Sequence, residues 1–324
     1  VAVGLPGADA GGGIKAEDPE RYGDLTHPGD AFSYDLYTQV ARALRTPGDD
    51  DALDGLRPEV LLAVGESQSA FALTTYVNGV QPLTEAFDGF LVHSRGAAAA
   101  PLGQAGEPID IAQTILGPPT RIRTDGDTPV LVLETETDVV GLLGYHRARQ
   151  PDGERFRLWE VAGTAHADQH LLGPAAELLD CGGPINAGPH HLVAKAALFH
   201  LERWVRTGEA PPEAPRLELA DQDGTTVIAR DEDGNALGGI RTPHVDVPVA
   251  ALSGDPRPDS SIICSLMGST EPLSTPRLRE RHGDRAGYLA AYEQVADAAI
   301  AAGFVLPEDR DAMLAEAQPD AVPG

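Results

Sequence analysis

A serine, a carboxylate and a histidine, in that order along a chain, can carry acyl chemistry if the fold brings them together. Serine at its free pKa is a poor nucleophile. It needs a base to take its proton, and the base needs an acid to orient it. Ser67 lies in Gly65-Glu66-Ser67-Gln68-Ser69, after the apolar run VLLAV and before the helix-like run SAFALTTYV. A strand, a sharp turn and a helix would lift this hydroxyl out of a packed sheet, where leaving it unpartnered costs free energy. Downstream, the strand PVLVL runs into Glu134, Glu136 and Asp138, and the strand LWEV runs into AGTAHAD, which holds His166. Asp138 takes the loop position expected of the orienting acid. Glu136 is its rival, and Glu134, still on the strand, reads as structural. His166 is preferred to His170 as the base because it follows its strand directly, in a loop of small residues that leaves the ring free. Gln68, the residue after the serine, offers a backbone N–H to a developing oxyanion.

Other polar residues near these strand ends read more modestly. Glu66 reads as packing or surface. Arg95, after LVHS, is a candidate for a bidentate contact with a substrate carboxylate, against a structural salt bridge. His93 is a candidate wall residue. His190, His191 and His200 fall on a later helix and read as structural. Cys181 and Cys264 look like small buried residues, with free thiols favoured over a disulfide. No CxxC or Cys/His cluster suggests zinc, and no other metal or cofactor motif stands out.

The elements that must position these residues follow from hydrophobic period and punctuation. VAVGL reads as a strand ending in a glycine-rich loop, and AEDPERYGDLTHPGD as irregular. AFSYDLYTQVARALR reads as a helix with Phe32, Tyr37, Val40, Ala41 and Leu44 on one face and Asp30 as N-cap. VLLAV is a buried strand, and the helix after it ends near Gly79. FDGFLVHS, TPVLVLETETDVV (entered through Pro129) and ERFRLWEVAG are further strands. HHLVAKAALFHLERWVRTG is an amphipathic helix stopped at Gly208. Nearly continuous apolar strands alternating with helices predict a parallel sheet covered on both faces. Residues 95–127, rich in Ala, Gly and Pro, read as a possible lid or a surface excursion. GEAPPEAPRLEL marks a boundary near residue 210. It divides a core over 1–209 from an extension over 210–324, expected to pack on that core. The extension contains a hairpin with Asp-Gly turns in TTVIARDEDGNALGGI. It also holds a helix with Tyr288, Leu289, Tyr292, Val295, Ala299 and Ile300 on one side.

The 324 residues give ample length for a core, with 42% hydrophobic and 23% charged residues, ordinary for a globular protein. A formal net charge of −26, from 50 acidic against 24 basic residues, argues against nucleic acid and anionic membranes as partners. No apolar run approaches the ~20 residues of a membrane helix, and no signal-peptide pattern is visible. Compartment and oligomeric state stay open.

At GESQSA, FDGFLVHSRG, PVLVLETETDV, VAGTAHAD, GPHHLVAKAALFHLERWVRTGEAPP and DEDGNALGGIRTPHVDVPVA, the chain resembles the α/β-hydrolase superfamily. More narrowly it resembles bacterial alpha/beta hydrolase domain-containing proteins. The resemblance implies an α/β-hydrolase fold and a serine hydrolase, with Ser67, His166 and Asp138 in the triad roles and a small-molecule ester as the substrate class. Acyl transfer or amide hydrolysis on the same triad, and a non-catalytic binding protein on the same scaffold, remain alternatives. The resemblance also makes VAVGL the fourth strand of the fold and VLLAV the fifth, with nothing to fill the third strand's place between them. The expectation is therefore a chain that is the C-terminal portion of a longer protein, with the loop giving the second oxyanion donor upstream of Val1.

Overall fold

Four apolar segments form the central sheet, and three of them alternate their side chains between two buried faces. The computed structural model describes residues 18–25, 29–46, 53–105, 107–258 and 260–323. The strand expected in VAVGL lies outside them. Strands β1 (Leu62–Glu66), β2 (Gly89–His93), β3 (Val130–Thr135) and β4 (Phe156–Val161) form a parallel sheet in the order β1-β2-β3-β4. Phe90, Val92, Val130, Val132, Phe156 and Leu158 point to one face. There they meet Tyr34 and Ala41 of helix α1 (Ser33–Arg45), and Ala70 and Leu73 of helix α2 (Gln68–Thr75). Leu91, Leu131, Leu133, Trp159 and Val161 point the other way, onto Val193, Ala196, Ala197, Leu201 and Trp204 of helix α3 (His190–Thr207). A period of two in the strands against a period near 3.6 in α3 gives three packed layers. Gly208, at φ 78°, ends α3 in the left-handed conformation that favours glycine, with its N–H on the Trp204 carbonyl.

Beyond residue 210 the chain returns along the β4 side. Ile240 bridges Val161 in parallel, donating its N–H to the Glu160 carbonyl and accepting that of Ala162. The Trp159 indole N–H is held by the Pro212 carbonyl at 2.9 Å, and Phe304 packs edge-on to its ring. The hairpin β5 (Leu219–Gln222) and β6 (Thr225–Ile228) turns at Asp223-Gly224, both at positive φ. A second Asp-Gly turn follows, bounded by a bridge between Arg230 and Ala236. β7 (Ala250–Ser253) pairs antiparallel with β8 (Ser269–Pro272). Helices α4 (Thr275–His282), α5 (Arg285–Ala301) and α6 (Arg310–Ala315) follow. Tyr288, Tyr292, Ala296 and Met313 from α5 and α6 share a cluster with Leu192 of α3.

Several sequence expectations are corrected. The two cysteines are not free thiols: Cys181 and Cys264 form a disulfide with Cα atoms 5.4 Å apart. Strand-like contacts bring their loops together, Asn186 N–H to the Met267 carbonyl and Ala167 N–H to the Leu266 carbonyl. A separation of 83 residues gives no local hint of that proximity. Helix α1 buries Tyr34, Thr38 and Ala41, while Phe32, Tyr37 and Val40 are exposed. Thr38 goes inside because its hydroxyl bonds both the Tyr34 carbonyl and the Tyr76 hydroxyl. Asp30 opens a 3₁₀ turn before α1 and spends its carboxylate on the Ile109 N–H, not on a cap. The helix after β1 does not stop at Gly79; it widens into a π turn over Tyr76–Val80 and continues to Thr84. Pro19–Tyr22, expected irregular, forms a helical turn capped by Asp18. On α5, Ala296 replaces Leu289 in the buried face. Whether residues 95–127 act as a lid stays open; among their described residues there is one short helix, Ile111–Ile115.

Candidate active site

The carboxyl ends of β1, β3 and β4 deliver three side chains to one place. At the first, the chain leaves β1 and enters α2 through Ser67, whose φ of 54° and ψ of −122° are rare for a residue with a side chain. Gly65 permits the tight passage, since a Cβ there would stand 2.8 Å from the Ser69 carbonyl oxygen. The Ser67 N–H is anchored on the His93 carbonyl of β2 at 3.1 Å. At the second, β3 gives way to a helical turn, Glu136–Val139, in which Asp138 is fully buried. Its Oδ2 accepts from both the Thr135 N–H and the Thr135 hydroxyl at 2.7 Å, which fixes the carboxylate plane. At the third, β4 ends in a turn that leads to His166.

These three residues form a hydrogen-bonded line. His166 Nδ1 lies 2.6 Å from Asp138 Oδ1, and His166 Nε2 lies 2.8 Å from Ser67 Oγ. An ionised carboxylate can only accept, so Nδ1 carries the proton and Nε2 is left to accept from the serine hydroxyl. Burial pushes the Asp138 carboxyl up, but the His166 charge and the bonds from His166 and Thr135 outweigh it and hold its pKa below the ordinary value. Burial pushes His166 down, and the Asp138 charge and hydrogen bond, with help from Glu66, lift it above its ordinary value. The two shifts agree in sense: the environment favours the pair in its charged form. Such an arrangement can take a proton from a hydroxyl and stabilise the imidazolium that results. Gln68 is the first residue of α2, so the helix leaves its N–H without an intrahelical acceptor.

The rival acid is occupied elsewhere. Glu136, also fully buried, accepts the Gly163 N–H at 2.5 Å on Oε1, and the Gly254 N–H at 3.0 Å and Arg230 Nη2 at 2.9 Å on Oε2. Glu134 is fully buried with neither carboxylate oxygen hydrogen-bonded among the described residues. Burial first, then the Asp138 charge, push its pKa well above the ordinary value, against the opposing Arg95 charge. Arg95 is buried, with its guanidinium on the carbonyls of Gly96, Ala97 and Thr120 and over the Tyr145 ring, and it has no salt-bridge partner among the described residues. His170 is stacked on His191, away from the serine hydroxyl, and His200 bonds the Gly303 carbonyl. Glu66 pairs in register with His93 and is half-buried.

Two features had no signal in the sequence reading. His93 and His190 share a hydrogen bond, Nε2 to Nε2, at 2.8 Å. One ring must donate and the other accept, and burial lowers the pKa of both. The Glu136–Arg230 contact joins residues 94 apart in the chain. A cavity of about 280 Å³ lies beside the elbow, lined by Tyr34, Tyr37, Tyr76, Val64 and Ile109, with Gln68 and Ser69 at its wall. Among the described residues, no group of His, Cys, Asp or Glu converges as metal ligands, and no helix is long and apolar enough to cross a membrane.

A family model described as an alpha/beta hydrolase domain matches residues 2–315. Neither the curated proteins nor the solved structures give a match.

Proposed function

The chain belongs to the alpha/beta hydrolase domain family, and on that footing we propose that it is a serine hydrolase that cleaves a small-molecule carboxylic ester. The observation that carries this reading is the continuous line Ser67 Oγ, His166, Asp138, with the serine held at positive φ on a strand-to-helix turn. Ser67 Oγ attacks the ester carbonyl as His166 Nε2 takes its proton. Asp138 orients the ring and stabilises the imidazolium. The Gln68 N–H faces the oxyanion that forms. The tetrahedral intermediate collapses to an acyl-serine, and the departing alkoxide takes the proton from Nε2. Water, deprotonated by the same nitrogen, then releases the acid and restores the serine. These steps draw on side chains, one backbone N–H and water.

The test is covalent labelling by a fluorophosphonate, with hydrolysis of a short-chain nitrophenyl ester alongside. The wild-type chain is expected to label and Ser67→Ala not to, with turnover falling on the order of 10⁶-fold. Labelling that persists in Ser67→Ala, or its absence from the wild-type chain, would count against the reading and favour a binding protein on this scaffold.

A further inference from the structure

We propose that Glu136 and Arg230 form a positioning clamp, through which the chain beyond residue 210 holds the loop that carries His166 and the turn that carries Asp138. The proposal rests on the serine-hydrolase reading and goes beyond it by giving a catalytic consequence to residues far from the three that react.

The clamp is built on one peptide, Ser253–Asp255. Glu136 Oε2 accepts the Gly254 N–H, and the hydroxyl of Thr137, the residue before Asp138, donates to the Gly254 carbonyl at 2.7 Å. Arg230 Nη2 bridges Glu136 Oε2, Ser253 Oγ and Asp255 Oδ2 at 2.9, 2.7 and 2.6 Å. The other oxygen of Glu136 accepts the Gly163 N–H, three residues before His166. Gly163 has no slack: its φ is 73°, a Cβ on it would meet Val245 Cγ2 at 2.5 Å, and its carbonyl accepts Asn186 Nδ2, which also donates to the Ser253 carbonyl. Gly254 is equally confined, with a Cβ position 2.5 Å from both Glu136 Cβ and Thr137 N. Both the base and its orienting acid therefore hang from the same fixed peptide.

The charge of Glu136 is what makes this grip work. An ionised carboxylate accepts from Gly163, Gly254 and Arg230 together. A protonated one carries an O–H that must donate, and it faces N–H groups that are donors themselves. Burial favours the protonated form and leaves the pKa above its ordinary value, and the Arg230 charge is the largest influence opposing it. Arg230 is faced in turn by Asp255, while Glu134 and Asp138 stand on the same stretch as Glu136, and His166 stands on the loop after β4. A loop displacement on the order of 1 Å can cost about 100-fold in rate, because the bond from Ser67 to His166 tolerates little error.

The test measures the fluorophosphonate labelling rate of the full chain against pH for wild type, Arg230→Met, Arg230→Lys and Glu136→Gln. Arg230→Met is expected to label roughly 10- to 100-fold more slowly near neutral pH, with its acid limb moved to higher pH as Glu136 becomes easier to protonate. Arg230→Lys should return most of the rate and the wild-type limb. Glu136→Gln should be slow with the limb unmoved, since nothing at that position then titrates. A purely structural role would lower the amount of folded protein without moving the limb. Arg230→Met and Glu136→Gln profiles that superimpose on wild type would overturn the clamp and leave the serine reading standing. If Arg230→Met does not fold, Glu136→Gln decides, and a wild-type rate in it overturns the clamp. No labelling of the wild-type chain would remove the serine reading and, with it, the reaction the clamp serves.

Discussion

The two edges of the sheet are finished in opposite ways. At β4, Ile240 continues the hydrogen bonding, Trp159 is sealed under Pro212 and Phe304, and Arg149 grips the buried Glu160 with two bonds of 2.6 Å. At β1, the outermost strand among the described residues, Val64 is 49% exposed, and Val40 of the flanking helix α1 is 56% exposed. The candidate site straddles this difference. Asp138 and His166 come from the closed side, where the Thr137 hydroxyl and the Ala167 N–H donate to the Gly254 and Leu266 carbonyls of the chain beyond residue 210. Ser67 comes from the open side, yet its own N–H is fixed to β2, one strand inward. Ser67 thus takes a backbone anchor from the interior neighbour.

The sharpest way to break this comparison is to alter one carboxylate on each side. Asp138→Asn keeps the shape but donates or accepts wrongly at Nδ1, leaving His166 in the unproductive tautomer. Ester turnover is expected to fall ~10⁴-fold. Glu66→Gln, on the open strand and without a side-chain hydrogen bond to the three residues of the line, should retain turnover within a few-fold. Equal losses in the two variants, measured as kcat/KM on the same ester, would mean that the closed side has no special hold on the chemistry.

The second comparison is in stability. Trp159 is fully buried, so Trp159→Ala should cost about 3–5 kcal/mol in urea unfolding. Val40→Ala, at the open edge, should stay within about 0.5 kcal/mol. A large loss from Val40→Ala would show that the apolar surface beside β1 is covered in solution.

What the sequence made legible follows the same division. The elbow was readable because a strand, a glycine and a serine are adjacent, and the backbone at Ser67 needs only local neighbours to be set. The succession of parallel strands, and the histidine loop after the last of them, were readable because the strands are nearly continuous apolar runs alternating with helices. The disulfide, the His93–His190 pair and the Arg230–Glu136 contact were not, since each joins segments far apart in the chain. The choice between Asp138 and Glu136 as the partner of His166 also depended on such a contact. Two residues apart and equally buried, they differ in which distant group reaches them, an imidazole for one and a guanidinium for the other. Helix α1 was misread for a related reason. Hydrophobicity alone ranks Phe32 and Val40 above Thr38, but Thr38 has a buried hydroxyl partner in Tyr76, and the other two are exposed.

The smallest expected effect is in pH dependence, and it tests whether the open side touches the chemistry at all. The folded His166 has a pKa above its ordinary value. Burial works against that, and the Asp138 charge and bond, with the Glu66 charge, produce it. If His166 is the base, as proposed, turnover needs the neutral ring, so it should be full above the raised pKa and be lost as pH falls through it. Stability runs the other way. A pKa raised on folding contributes stability that is fully present below the unfolded value near 6.5, and that is lost as pH rises through the folded one. Between those two values, a rise in pH should therefore increase turnover while lowering the unfolding free energy. Glu66→Gln removes one of the charges that lift His166, so the midpoint of the acid limb should move to lower pH with the plateau little changed. A midpoint that stays fixed would confine the control of the base to the closed side. A midpoint that moves would mean that the strand leading to Ser67 also tunes His166, through a charge that forms no hydrogen bond with either.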